Sequence, residues 1–233
     1  MNKYIFSGGM TERMVEYLEK VPEFEPMDVL VSQLDRSSIQ KMIQYADRGI
    51  VKSLFIDSGA FSFHTGKCKS IDVDEYIEFV NGIDKYIYAV AQVDTLPGKF
   101  GEVKSKEDYE NSANKSWENF LYMYPRMKSP EKLIPVFHFG ESFHDSLGRM
   151  LSWKDENGKP LDKVGLSPAN DTAQNTKDVY LRECYDFIAE SDNPEVKTHL
   201  FGMTSLQALA KFPCYSADSV SHRLRRVTIK CIH

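Results

Sequence analysis

Tyr86–Val93 reads YIYAVAQV, a run rich in aromatic and β-branched residues that carries no charge and ends at Asp94. It lacks the polar-apolar alternation of a strand with one face in water. A strand covered on both faces has this composition, as in a parallel sheet wrapped by helices. A second run of the same kind follows at Leu133–Phe137 (LIPVF). Working outward from these two, further strands are expected at Ser53–Asp57, Val29–Ser32 and Lys3–Phe6 upstream, and at Lys163–Leu166, Thr198–Phe201 and Cys214–Ser216 downstream. That makes eight.

Amphipathic helices are expected between them, at Glu12–Lys20, Ser37–Arg48, Val73–Val80, Lys106–Tyr124, Ser142–Leu151, Thr176–Ala189 and Ser205–Lys211. Asp72 and Thr204 suit the N-caps of the third and last of these. Asp155–Asp162 (DENGKPLD) reads as a turn with Asn157-Gly158 at its tip. Strands alternating with helices along 233 residues predict one domain, residues 1–233, folded as an α/β (β/α)8 TIM barrel. The tail after the eighth strand is too brief for a full helix, so a short or incomplete eighth helix is expected.

Composition agrees with a globular domain: 42% hydrophobic and 27% charged residues supply both a core and a solvated shell. No apolar stretch approaches the 18 or more residues of a membrane span, and MNKYIFSGGM does not read as a signal peptide. Cys68, Cys184, Cys214 and Cys231 show no CxxC pairing, which fits reduced thiols and a cytoplasmic location. A net charge of −5 exerts no overall pull on nucleic acid. A polynucleotide would need a local basic patch, and the lysines and arginines cluster at Lys99, Lys104 and Lys106, at Arg126, Lys128 and Lys132, and at Arg223, Arg225, Arg226 and Lys230. Charge runs of this kind commonly form a solvated face instead.

The polar residues fall at strand ends. Asp57-Ser58-Gly59-Ala60-Phe61 follows SLFI, Asp94 follows YIYAVAQV, and His138 closes LIPVF. Gly165 closes the sixth strand, Gly202 the seventh, and Asp218 follows CYSA. In a barrel these positions share the catalytic rim. Each aspartate alone suits a helix cap, and each aromatic alone suits core filling. Together they describe a site: Gly59 and Gly165 admit a flat ligand close to backbone, and Phe61 and Phe201 offer rings to stack on it.

These residues resemble the queuine and archaeosine tRNA-guanine transglycosylases and their shorter phage and bacterial relatives that modify guanine in DNA. The family's Asp-Ser-Gly-Gly-Phe run corresponds to Asp57-Ser58-Gly59-Ala60-Phe61, and its strand-four Asp to Asp94. Its Val-Gln-Gly-Gly segment is matched by VFHFGE, with His138 at the Gln and Gly140 near the glycines. Its Gly-Gly-Leu resembles Val164-Gly165-Leu166, its Leu-Met-Gly-Val-Gly resembles Leu200-Phe201-Gly202-Met203-Thr204, and its nucleophile strand resembles Tyr215-Ser216-Ala217-Asp218-Ser219. The likeness spans roughly residues 50 to 222. The departures are Ala60, His138 and the absence of the family's cysteine-rich zinc segment, which Cys231 and His233 cannot replace.

The resemblance implies base exchange without a cofactor or metal. Asp218 is then the nucleophile and Asp57 the general acid and base, while Asp94 and His138 read the purine edge beside Gly140, Gly165, Leu166 and Gly202. Phe61 and Phe201 stack on the base, and Ser58 and Gly59 also bind the substrate. The implied partners are a nucleic acid, DNA rather than tRNA because the zinc segment is missing, and a free 7-deazaguanine-type base such as 7-cyano-7-deazaguanine. A homodimer or a partner subunit stays open. Two other readings use the same pocket: a nucleoside or glycoside hydrolase in which water resolves the intermediate, and a non-catalytic base-binding protein. A metal-dependent hydrolase is the weakest, since His64, His138, His144 and His199 show no HxH or HxxxH spacing.

Overall fold

A computed structural model describes residues 3–66, 70–99, 101–168, 173–203 and 206–219. Thr204, the basic tail from Arg223, Cys68, Cys231 and the place of an eighth helix lie outside them. In chain order the strands are β1 (Lys3–Ser7), β2 (Met27–Ser32), β3 (Val51–Asp57), β4 (Ile87–Ala91), β5 (Leu133–Ile134), β6 (Val136–His138), β7 (Lys163–Ser167), β8 (Lys197–Leu200) and β9 (Ser216–Ser219). Every strand pairing is parallel, and the spatial order is β5-β4-β3-β2-β1-β9-β8-β7-β6.

The two ends of that order are consecutive in sequence. Pro135 alone separates β5 from β6, because proline has no N–H to give the ladder. Its carbonyl stays in register and accepts from the Gly165 N–H at 2.8 Å. The LIPVF strand therefore pairs with β4 through its first half and with β7 through its second, and the sheet returns on itself as an α/β TIM-type barrel.

The helices are α1 (Glu12–Leu18), α2 (Arg36–Asp47), α3 (Ala60–His64), α4 (Val73–Gly82), α5 (Lys106–Met123), α6 (Arg149–Ser152), α7 (Gln174–Ala189) and α8 (Leu206–Lys211). Asp72 caps α4 by accepting from the amides of Asp74 and Glu75. Ser105 and Asp108 form a reciprocal capping box on α5. The stretch expected as one helix from Ser142 begins instead as a π-helical turn, Phe143–Gly148, before α6. At the expected turn, the Asp155 carboxylate accepts from the amides of Asn157 and Lys159.

The apolar runs are explained by two cores. Leu54, Ile56, Val90, Phe137 and Leu166 face outward against the helices, with Tyr76, Phe120 and Leu181. Ile5, Leu30, Phe55, Ala89, Ala91, Ile134 and Val136 face inward and fill the barrel. Alternate residues of one strand thus enter different cores, and neither set is polar. A register shift between Leu54 and Phe55 pairs Leu54 with Ile87 and Phe55 with Ala89, so Tyr88 bulges out of the ladder.

The observed strand ends differ from the expected ones by one to three residues, and the differences that matter are on β4, β7 and β9. Tyr86–Val93 contracts to Ile87–Ala91, since Asp84–Tyr86 form a 3-10 turn. Gly165 sits in the middle of β7 rather than at its end. The last strand runs Ser216–Ser219 instead of Cys214–Ser216, which puts Asp218 inside it, paired in register with Ile5 of β1.

Candidate active site

Asp57, Asp94, His138 and Asp218 stand at the carboxyl ends of β3, β4, β6 and β9, the end where barrel enzymes carry their chemistry. Burial of side chains on the helices pins these strand ends. The Tyr76 hydroxyl of α4 lies between the carbonyls of Ile56 and Ala91 at 3.2 and 3.1 Å. Asn119 of α5 donates to the Val93 carbonyl at 2.8 Å, and Tyr180 of α7 donates to the Phe137 carbonyl at 3.0 Å. The residues preceding Asp57, Asp94 and His138 are thereby tied to the outer shell.

The Asp57 carboxylate accepts from the Gly59 amide at 3.0 Å. Gly59 reaches that position with φ +80, and a Cβ there would stand 2.6 Å from the Leu34 side chain. Burial pushes the Asp57 carboxyl up to about 6, against the Gly59 and Ser58 amides, and the negative charges of Asp94 and Asp218 push the same way. The three aspartates are therefore within electrostatic reach of one another. Like charges gathered in a mouth raise the affinity of at least one member for a proton.

Asp94 and His138 form an ion pair with Nε2 and Oδ2 3.6 Å apart, longer than a hydrogen bond. Gln92 Nε2 donates to the other oxygen of Asp94 at 2.9 Å. On its far side the His138 ring meets the buried Glu141 carboxylate, Nδ1 to Oε1 2.9 Å. Burial would lower the imidazole, but Asp94 and Glu141 outweigh it and His138 is pushed up to about 10. At neutral pH this side of the mouth carries an imidazolium between two carboxylates.

Asp218 is held differently. Its Oδ1 accepts from the Gly202 amide at 3.1 Å and faces His199 Nε2 at 3.3 Å. His199 is 1% exposed, and its Nδ1 lies 2.9 Å from the Ser216 hydroxyl, the residue directly opposite it in the β8–β9 register. The His199 ring is wedged edge-on between Phe55 and Phe201, with centroids at 4.6 and 4.5 Å.

The remaining expected residues divide between the mouth and the scaffold. Ser58 is fully buried; its carbonyl accepts from Gln33, and its hydroxyl accepts from the Ala60 amide. Phe61 stands on α3 with 57% of its surface exposed at the rim. Phe201 packs across Gly165, where a Cβ would lie 2.6 Å from the ring, so the missing side chain makes room for the phenylalanine rather than for a ligand. Gly140 lies under the Tyr109 ring at φ +96. The Leu166 side chain belongs to the outer core, and its carbonyl accepts from the Phe201 amide at 3.0 Å.

Sequence reading passed over His199, Glu141 and Gln92 as site residues. The signals were a lone histidine in the apolar strand KTHL, a carboxylate three residues after His138, and an amide two before Asp94. All three are buried. Two surface clefts lie away from this mouth, one between α4 and α5 beside Asp74 and Tyr122, the other beneath β8 beside Pro194 and Tyr215. Among the described residues no cluster of three or more His, Cys, Asp or Glu is arranged to hold a metal ion, and no helix is long and apolar enough to cross a membrane.

No family model matches the chain, and no curated protein does. Among solved structures, a thermostable mutant of a xylanase from Cellvibrio japonicus aligns with 94% of this chain and 85% of its own, at a TM-score of 0.46 and 8% identity. That likeness concerns the barrel and says nothing of the reaction.

Proposed function

We propose that the chain is a guanine transglycosylase that replaces guanine in a nucleic acid, DNA before tRNA, with a 7-deazaguanine-type base. The observation that carries the proposal is the meeting of Asp57 and Asp218 in one mouth in unlike surroundings. One carboxyl is raised to about 6, and the other has a single oxygen held by the Gly202 amide and facing His199 Nε2.

Asp218 attacks C1′ of the nucleotide, the C1′–N9 bond breaks, and guanine leaves with a proton from Asp57. The incoming base then gives its N9 proton to Asp57 and displaces Asp218 from C1′. Two inversions at C1′ retain configuration, and a covalent intermediate splits one hard displacement into two. A carboxyl near 6 suits this work because it exchanges protons in both directions near neutral pH. Asp94 accepts from the amino edge of the purine, and the His138 imidazolium beside it donates toward the carbonyl edge. Phe61 and Phe201 supply stacking faces. A base inside a duplex reaches such a mouth only when flipped out.

The test is exchange of radiolabelled guanine into duplex DNA, single-stranded DNA or tRNA. Incorporation that disappears in Asp218→Asn supports the proposal and names the polymer. Intact nucleic acids with no incorporation overturn it.

A further inference from the structure

The proposed reaction needs Asp218 ionised, with one oxygen aimed at C1′, and the structure surrounds that carboxylate with an arrangement the reaction itself does not require. Asp218 and Ser216 lie two residues apart on one face of β9, and His199 of β8 reaches both. An ionised carboxylate only accepts, so the hydrogen in the 3.3 Å contact sits on His199 Nε2. In the neutral ring Nδ1 then accepts, and the Ser216 hydroxyl donates to it at 2.9 Å. Phe55 and Phe201 stop the ring from turning. The Gly202 amide meets the same oxygen, Oδ1, at 3.1 Å.

We propose that His199 is a positioning residue for the nucleophile: with Ser216 setting its tautomer, it holds Oδ1 of Asp218 so that Oδ2 forms the bond to C1′. This rests on the transglycosylase reading above. When Oδ2 forms the ester, Oδ1 becomes its carbonyl oxygen and keeps both donors. When the incoming base attacks C1′, the electron pair of the C1′–Oδ2 bond returns to the carboxylate, and the same two donors receive the restored charge. Donors already in place where charge returns favour that step.

The experiment compares guanine exchange by the wild-type protein, His199→Phe, His199→Gln and Ser216→Ala, with thermal midpoints measured alongside. In His199→Phe the ring space stays filled and the donor is lost; kcat is expected to fall about 10- to 100-fold with KM for free guanine unchanged. In His199→Gln the side-chain amide can donate where Nε2 did, and most of the loss is expected to return. Ser216→Ala keeps the ring and removes its tautomer partner, giving a smaller loss, and it serves if His199→Phe does not fold. A purely packing role would lower stability without separating Gln from Phe in kcat. Folded His199→Phe at wild-type kcat, or Gln as slow as Phe, overturns the role of His199 while leaving the transglycosylase standing. A wild-type protein that exchanges no base overturns the transglycosylase itself. Nitrogen-15 NMR reads the pairing without turnover: an Nε2-bound proton that shifts in Asp218→Asn supports it, and an Nδ1-protonated ring overturns it.

Discussion

The two sides of the barrel mouth treat their aspartates in opposite ways. On the β3–β6 side, Asp57 is buried with two acidic neighbours, and its carboxyl is raised to about 6 against the Gly59 and Ser58 amides. On the β8–β9 side, one oxygen of Asp218 accepts from the Gly202 amide and faces Nε2 of the buried His199. The first arrangement favours the protonated carboxyl; the second fixes the orientation of one oxygen. Under the proposed reaction these surroundings suit an acid-base and a nucleophile respectively, the pattern by which such roles are separated in carboxylate enzymes.

The largest expected effect separates the two aspartates directly. Asp218→Asn removes the proposed nucleophile and is expected to cut base exchange by about 10⁴-fold or more, measured by incorporation of labelled guanine. If exchange persists in this variant while Asp57→Asn is dead, the roles assigned to the two sides are reversed.

Asp57→Asn is expected to cost about 10²- to 10⁴-fold in kcat, and it should also change stability with pH. The folded value of Asp57, about 6, lies above the ordinary 3.8. Its contribution to stability is therefore full below the ordinary value and is lost as pH rises through about 6. The shift is worth roughly 3 kcal/mol at most, reduced by partial solvent access. Asn carries no such penalty, so the variant should melt above the wild type at pH 8, and the gap should narrow by pH 4.5. Equal melting points at pH 8 would show that Asp57 is not strained by its surroundings.

His138→Gln withdraws a cation from between Asp94 and Glu141. Breaking a buried ion pair from one side costs about 3–5 kcal/mol, seen as a lower denaturant midpoint at pH 7. With its folded value about 10, the histidine contributes fully below its ordinary 6.5 and loses the contribution as pH rises through 10. The variant and the wild type should therefore converge toward pH 10.

Gly165→Ala tests whether that glycine serves the scaffold. The new Cβ meets Phe201 at 2.6 Å, and displacing the ring is expected to cost about 1–3 kcal/mol. The displaced ring would also disturb His199, so kcat should fall with it; a stable variant with impaired binding of the free base would instead return Gly165 to the ligand. The smallest effect lies away from the mouth. Asp72→Ala removes the α4 cap and should lower stability by about 1 kcal/mol, with base exchange retained.

The barrel was legible because burial on both faces leaves a chemical mark. YIYAVAQV and LIPVF have no polar face to offer, as strands of a parallel sheet covered on both faces do. Asp57, Asp94 and His138 were legible for a related reason, each being the polar residue where an apolar run stops. Asp218 was noticed, but its strand was drawn two residues early, because alternation fades in SADS once the interior turns polar. His199 carried no local sign of function: a single histidine in KTHL reads as a core residue until the register sets it opposite Ser216. Gly165 was read as space for a ligand, although the ring that needs the space is Phe201, some 36 residues further along the chain.

By itself the sequence determined the order of extended and helical segments and their approximate places, since these follow from periodicity and burial within a few neighbours. Only the tertiary structure decided what each ending means. Whether a carboxylate is raised toward a proton or held by donors depends on groups that arrive from other strands, and Coulomb interaction and hydrogen bonding act through space with no regard to separation along the chain.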